Sequence, residues 1–301
     1  MKEFTVNSVS ELRQRFQSCI KYKRAARWRK PLLAPGKFVL NQLRKSLLHK
    51  PVGTVLTARA FHLASFTVVS GEAVSNEIIS YGTYEDELTD AFLRLVQADQ
   101  VVVDIGMHLG YFTALFAQLV GPRGQVHSFE PTPSTRELAS ANVNQFPQVT
   151  VHPFAVWSSQ KTMTFRDYGL QWMGYNSFAK ARLEAAGEGV PFEVETTTLD
   201  NFRQSLNRPI ALVKIDAESA EKEILIGADY LLRTDRPLIS LETGDYGVDV
   251  GSTRELVEYL MAREYAAWDP TLRGFRPHQL KERYDYDNLI FAPTGKDLTR
   301  I

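Results

Sequence analysis

Val101 to Gly110 reads VVVDIGMHLG. Its first five residues are β-branched and apolar apart from Asp104, a run too short for a helix and apolar enough for a strand buried on both faces. Gly106 and Gly110 bracket a turn, and Tyr111 to Val120 (YFTALFAQLV) has the length and apolar density of the helix that follows. A central parallel strand, a glycine turn and a helix N-terminus at Tyr111, Phe112 and Thr113 together form a ligand cradle. Glycine lets the backbone approach a ligand, and the first helical N–H groups are unpaired.

What the cradle holds is read from charge. A dinucleotide fingerprint carries a middle glycine for the pyrophosphate, and His108 stands in that place. A phosphate loop needs Lys followed by Ser or Thr, yet no Lys or Arg occurs between Val101 and Pro122, and Asp104 stands at the end of the strand. Such an arrangement repels phosphate and attracts a cofactor bearing an ammonium and a sulfonium, as S-adenosylmethionine does. Gln125 to Phe129 (QVHSF) is the next strand, delivering Glu130 and Pro131, with Thr132 at the start of the following helix. An acid there accepts the hydroxyls of an adenosine ribose in either cofactor class. An NAD-dependent oxidoreductase on the same plan is therefore the enzyme rival, and a catalytically silent cofactor-binding subunit is the second.

Further strands are predicted at Val149 to Pro153, Ile210 to Ile215 (IALVKI), Pro237 to Leu241, Tyr265 to Trp268 and Asn288 to Phe291, with helices over Thr132 to Asn144, Ser219 to Gly227 and, capped by Ser252, Ser252 to Arg263. Strand ends in an open α/β sheet face the ligand crevice. Asp216 and Glu242 are thus brought to the edge where Gly106 and Glu130 lie, with Ala217 beside them. His108, whose pKa suits a base near neutrality, Asp216 and Glu242 are the candidate catalytic groups. Asp216, Glu218 and Glu242 could instead hold Mg²⁺, although no spacing rule demands a metal. Lys214, inside an apolar strand, needs a carboxylate partner, and Glu221 reads as a helix N-terminal acid. Short strands at Met163 to Phe165 and Val194 to Thr197 flank an insertion, Gly169 to Pro191. Its Trp172, Tyr175, Asn176 and Ser177 are candidates for recognising the acceptor or for pinning the loop.

The ordered motifs DIGMHLGYFT, VHSFEP, VKIDAESAEKEILIGA and PLISLE, with SYGTYEDEL ahead of them, resemble the FkbM family of S-adenosylmethionine-dependent methyltransferases from Gly71 to Glu242, with weaker likeness to Phe291. The resemblance implies a class I, Rossmann-like α/β fold with a seven-stranded, mostly parallel sheet flanked by helices. It implies methyl transfer to a hydroxyl of a small or medium metabolite such as a glycoside, polyketide or lipid-linked product, leaving S-adenosylhomocysteine. It also implies that Ala155 and Val156 line the adenine and that Glu85 borders the methionine end of the cofactor. Read by itself, Glu85 is equally one of the acids that a helix dipole favours. One position departs: the family carries Gly where Ser219 stands in DAESAE.

The 301 residues suffice for one large domain with an appendage. Residues 1–50 hold thirteen Lys or Arg against two Asp or Glu, whereas residues 51–301 hold 22 against 33. The first fifty therefore read as a basic helical extension on a catalytic domain of residues 51–301. Val9 to Arg29, with Ser10 as its cap, and Phe38 to Leu48 have amphipathic helical spacing. Such a segment packs on the domain by its apolar stripe, covers the site, docks an acidic carrier protein or lies on an anionic membrane. No nucleic-acid recognition motif accompanies the charge, so nucleic acid is not favoured. A single cysteine, Cys19, excludes an intrachain disulfide and a Cys-rich zinc site. With no bilayer-length apolar run and no signal-peptide pattern, a reducing, cytoplasmic setting is expected.

Overall fold

The structure is a computed structural model that describes residues 8–36, 38–39, 51–178, 186–245 and 252–301. Its strands are β1 (Val55–Ala58), β2 (Phe66–Val69), β3 (Val101–Ile105), β4 (Gln125–Phe129), β5 (Val149–His152), β6 (Ala155–Val156), β7 (Thr162–Asp167), β8 (Val190–Thr197), β9 (Ile210–Ile215), β10 (Leu238–Thr243), β11 (Tyr265–Thr271), β12 (Gly274–Pro277) and β13 (Asp287–Pro293). The large sheet runs β12-β11-β13-β10-β9-β3-β4-β5. The five strands from β10 to β5 are mutually parallel, and β13 is inserted antiparallel between β10 and β11. All seven predicted strands are present, and β12 is an eighth at the edge. Its Gly274-Phe-Arg-Pro sequence hides it, because Gly and Pro are unfavourable within strands and tolerated at edges.

The order explains the apolar run in β3. Every residue of β3 is buried; Val102 packs in one core layer and Val101, Val103 and Ile105 in the other. This is the two-residue alternation of a strand covered on both faces. After β3 the chain moves outward to β4 and β5, and after β9 it moves the opposite way to β10. The reversal leaves a crevice at the carboxyl ends of β3 and β9, where ligands of doubly wound sheets bind. β6 leaves the large sheet and pairs with β8, which forms an antiparallel ribbon with β7.

Helix boundaries shift from the sequence expectations for local reasons. Glu72 to Leu95 divides into helices Ala73–Tyr81 and Asp86–Leu95 at Gly82, whose φ is +77°. The helix after β9 starts at Glu221 rather than Ser219, because Glu218 and Ser219 have φ of +46° and +84°. Ser219 thus occupies a left-handed conformation that glycine adopts without penalty, at a cost of about 1–2 kcal/mol. The N-terminal helix is Val9–Arg24, capped by Ser8 rather than Ser10: the Ser8 hydroxyl accepts the Glu11 N–H at 3.2 Å. Ser252 caps its helix, Thr253–Met261, as predicted.

Leu12, Phe16 and Ile20 of the first helix are buried against helices Ala73–Tyr81 and Asp86–Leu95. Lys23 pairs with Glu77 at 2.7 Å and Asp86 at 2.9 Å, and Arg24 pairs with Glu87 at 2.8 Å. This stretch packs by its apolar stripe. The helix expected over Phe38 to Leu48 lies almost wholly outside the described residues.

His62 is buried at 1 % exposure among the rings of Phe61, Phe66 and Tyr111, and neither ring nitrogen has a well-formed hydrogen bond. Burial, only partly opposed by the Tyr111 backbone, pulls its pKa down to about 3. The folded-state value lies below the unfolded one, so the unfolded chain takes up the proton first. Stability therefore falls as pH drops below about 6.5 and keeps falling toward pH 3. His62→Leu, of similar volume, is expected to remove this sensitivity. Between pH 7 and pH 5 the natural chain should lose about 2 kcal/mol more than the variant, measured by urea midpoints at the two pH values. Equal losses would show that His62 does not titrate in this way.

Candidate active site

A cavity of about 680 Å³ opens at the carboxyl ends of β3, β4, β9 and β10. Its floor is the turn after β3. Gly106, with φ +75°, and Met107 both donate their N–H groups to the Phe129 carbonyl, at 3.1 and 3.2 Å. A Cβ on Gly106 would lie 1.7 Å from the Asp216 carbonyl oxygen, so only glycine lets the ends of β3 and β9 meet. Gly110, with φ +81°, turns the chain into helix Tyr111–Val120. The rings of Tyr111 and Phe112 line the cavity, and the Tyr111 hydroxyl, accepting the Tyr84 N–H at 3.2 Å, fixes the wall opposite. Gly110 and Thr113 support the turn from outside the cavity lining.

Asp104 is not where charge reasoning put it. Its side chain is fully buried below the cavity, accepts the Thr113 hydroxyl at 2.6 Å and lies 3.7 Å from the Lys214 ammonium. Side chains alternate along a strand, and that of Asp104 leaves β3 within the protein rather than at its end. The charge reaches the cavity through Lys214, which lines it and lies 2.9 Å from Asp216 and 5.3 Å from the Phe112 ring centroid. Burial would lower the Lys214 pKa, but Asp216, Asp104 and Glu85 hold it above its ordinary value. Burial would likewise raise Asp216, yet Lys214 outweighs it and keeps the carboxyl below its usual range. Burial, then repulsion from Asp216, pushes Glu242 well above the carboxylate range. Glu242 is thus the weaker acid of the two, and both line the cavity.

Glu130 lines the cavity at 6 % exposure and accepts the Thr132 N–H at 3.0 Å; burial raises its pKa to about 7. Thr132 itself sits behind the wall. Ala155, Val156 and Ala217 line the cavity. Glu85 does not: with φ +42° it precedes its helix, and its carboxylate accepts Tyr286 Oη at 2.9 Å and Asn288 Nδ2 at 2.8 Å. Burial, then Asp216, raises its pKa to about 7. Trp172, Tyr175 and Asn176 line the cavity, whereas Ser177 uses its carbonyl to accept the Arg166 N–H at 3.0 Å. Asn176 pins the loop: its oxygen accepts the Tyr168 N–H at 2.8 Å, and its amide donates to Thr132 Oγ1 at 3.2 Å. Glu221 accepts the N–H groups of Ala217 and Ser219 at 3.1 and 3.3 Å, the helix-terminal role expected of it. Among the described residues no group of three or more His, Cys, Asp or Glu is arranged to hold a metal ion.

Two features were missed in the sequence. Glu72, 2 % exposed, accepts the Val74 and Ser75 N–H groups at 2.9 and 2.6 Å and lies 3.8 Å from His108 Nε2. An acid directly before the apolar helix AVSNEIISY was the available signal. The second is where the aromatic insertion is anchored. Phe154, Phe165, Trp172, Met173 and Phe178 line the cavity, and the insertion is tied to the helix after β4 by Asn176–Thr132 and Ser134–Asp167, whereas Asp216 and Glu218 follow β9 and Glu242 lies at the end of β10.

The residues fit a cationic adenosyl cofactor. The glycine turn admits a ligand, Glu130 faces the cavity for a diol, and the carboxylate-rich half suits positive charge. Fold and site define an S-adenosylmethionine-dependent methyltransferase, with S-adenosylmethionine as its cofactor. The family described as Methyltransferase FkbM domain matches residues 104–277, and the chain belongs to that family. It is 28 % identical over 241 residues to the 31-O-demethyl-FK506 methyltransferase FkbM of Streptomyces tacrolimicus, covering 66 % of this chain and 88 % of that protein. It is 24 % identical over 190 residues to the AMB antimetabolite synthetase AmbE of Pseudomonas aeruginosa, covering 51 % of this chain but 9 % of that protein. A solved structure of methyltransferase FkbM from Methylobacillus flagellatus KT aligns with TM-score 0.41 and 15 % identity over 92 % of this chain and 58 % of that one. Family membership sets aside the nicotinamide alternative. No helix among the described residues is long and apolar enough to cross a membrane.

Proposed function

We propose that the protein is an O-methyltransferase acting on a hydroxyl of a small or medium metabolite of the glycoside, polyketide or lipid-linked kind, in a reducing, cytoplasmic compartment. The observation that carries this reading is His108. Its Nε2 is buried without a hydrogen-bond partner beside Glu72, in the turn that floors the cavity. Burial holds its pKa below the ordinary histidine value, against the pull of Glu72. A neutral imidazole at pH 7 is a competent general base. The oxygen acceptor is also supported by the name of the Streptomyces relative, a methyltransferase of an O-demethyl compound.

When bound, the cofactor supplies an electrophilic methyl group on a positively charged sulfur. In this reading Glu130 accepts the ribose hydroxyls, and the aromatic half encloses the adenine between Phe154 and Trp172. Trp172 and Tyr175 thereby pass from acceptor recognition to the cofactor wall, because their loop is tied through Asn176 to Thr132, two residues from Glu130. The acceptor enters between His108 with Glu72 and Asp216 with Glu242. His108 takes the hydroxyl proton at Nε2, Glu72 steadies the resulting imidazolium, and Asp216 orients the acceptor.

The test is His108→Gln with a labelled methyl donor and a panel of hydroxylated metabolites. Turnover is expected to fall about 10²- to 10⁴-fold, with cofactor affinity by calorimetry nearly unchanged and the acid limb of the pH profile lost. Unchanged turnover would remove His108 as the base. Absence of label transfer by the natural chain, despite cofactor binding, would favour a silent binding subunit.

A further inference from the structure

We infer that the segment from Arg27 to Leu33 is an interfacial anchor that seats the protein on an anionic lipid surface. From Leu12 to Gly71 the sequence contains no Asp or Glu and thirteen Lys or Arg. The cations of the first helix are largely spent on the catalytic domain: Lys23 and Arg24 pair with carboxylates, and Arg13 donates to the Leu93 carbonyl at 2.9 Å. Beyond Arg24 the pattern changes. Among the described residues no carboxylate forms an ion pair with Arg27, Arg29 or Lys30. Between these cations the chain exposes Trp28 at 67 %, Leu32 at 77 % and Leu33 at 40 %.

A 3-10 turn, Arg27–Arg29, runs directly into the short helix Lys30–Leu33, so the exposed Trp28, Leu32 and Leu33 and the three cations are held within one compact stretch. Arg29 lies over the Trp28 ring and Lys30 over those of Tyr22 and Tyr81. Large apolar side chains set among cations that meet aromatic rings rather than carboxylates match the two demands of a lipid interface. Trp and Leu enter the headgroup boundary, and each cation nearby gains from the negative surface. An acidic protein would satisfy the cations without needing the exposed indole and leucines, so the lipid surface fits both features.

The patch is also placed to matter. Helix Ala73–Tyr81 links it to the cavity: Ala73 and Val74 line the cavity at one end, and at the other the Tyr81 ring lies 5.2 Å from the Lys30 ammonium. Nine residues of helix span about 13 Å. A membrane under Arg27 to Leu33 would therefore lie within the reach of an amphiphile whose headgroup occupies the cavity. That extension, an acceptor drawn from a bilayer, rests on the reading under Proposed function; the lipid binding itself does not.

The experiment is co-sedimentation of the full chain with phosphatidylcholine vesicles and with vesicles containing about one third phosphatidylglycerol, at low and high salt. The expected result is binding to the anionic vesicles only, reversed by salt. It should weaken about a hundredfold in Arg27→Gln/Arg29→Gln/Lys30→Gln and about tenfold or more in Trp28→Ala/Leu32→Ala. Cofactor affinity, measured by calorimetry in each variant, should stay unchanged and shows that both remain folded. Equal binding to neutral vesicles, no binding to either, or natural-level binding by both variants would overturn the inference. So would retention by a small acidic carrier protein, or self-association through the patch, without vesicle binding. Vesicle binding by a protein that takes up no cofactor would sink the methyltransferase reading and leave the anchor standing.

Discussion

Gly106→Ala should cost about 3–5 kcal/mol of stability and abolish cofactor uptake. The added Cβ meets the Asp216 carbonyl oxygen at 1.7 Å and its carbon at 2.9 Å, and both belong to backbone held in the sheet. Neither atom can yield without separating the ends of β3 and β9. The φ of +75° adds the penalty of a left-handed non-glycine residue, and the clash adds one to several kcal/mol of overpacking. Against a typical total of about 5–15 kcal/mol, a variant of this kind folds marginally or not at all. Denaturant midpoints give the stability term, and calorimetry with S-adenosylmethionine gives the uptake. Natural-level affinity in Gly106→Ala would show that the turn does not form the cofactor floor.

The second large effect is expected at Lys214. It is 2 % exposed and bridges Asp216 and the sealed Asp104. Lys214→Met keeps the length and removes the charge, leaving two carboxylates uncompensated, at a cost of about 3–5 kcal/mol. The sign of the pH dependence follows. Burial already holds Asp104 above its ordinary value against the pull of Lys214, whereas Lys214 keeps Asp216 below its own. Without Lys214 both carboxyls move up, so the folded variant binds more protons than the natural chain. Its deficit should therefore shrink as pH falls from 7 toward 4. Asp104→Asn combined with Lys214→Met should recover part of the loss, because one of the stranded charges is gone. Simple additivity of the two substitutions, measured by urea unfolding, would show that the pair is not coupled.

These two positions also show what a linear reading reaches. Gly106, Glu130, Asp216 and Glu242 were placed from the sequence because each follows an apolar strand, and strands of one parallel sheet deliver their ends to one edge. Lys214 was recognised as needing a carboxylate, since a lone ammonium inside an apolar strand is too costly to leave unpaired. Asp104 was misplaced by the same local reasoning. In a strand covered on both faces, no polar alternation marks which side a given residue takes. Its acidity was read as facing a ligand when it faces Lys214. Glu85, which the resemblance sets at the methionine end of the cofactor, lies outside the cavity lining and accepts from Tyr286 and Asn288.

The sequence by itself determined the doubly wound sheet, the glycine turn at its switch point, the acid at the end of the second core strand and the family, because these depend on short-range periodicity and on residue types with narrow conformational roles. Only the tertiary structure decided that Glu72 meets His108, that Asp104 lies beneath the cavity, and that the aromatic insertion is tied through Asn176 to Thr132, two residues from Glu130. Each of those facts depends on which strands lie side by side and how a distant helix packs, and contacts between remote segments leave no local pattern in the chain.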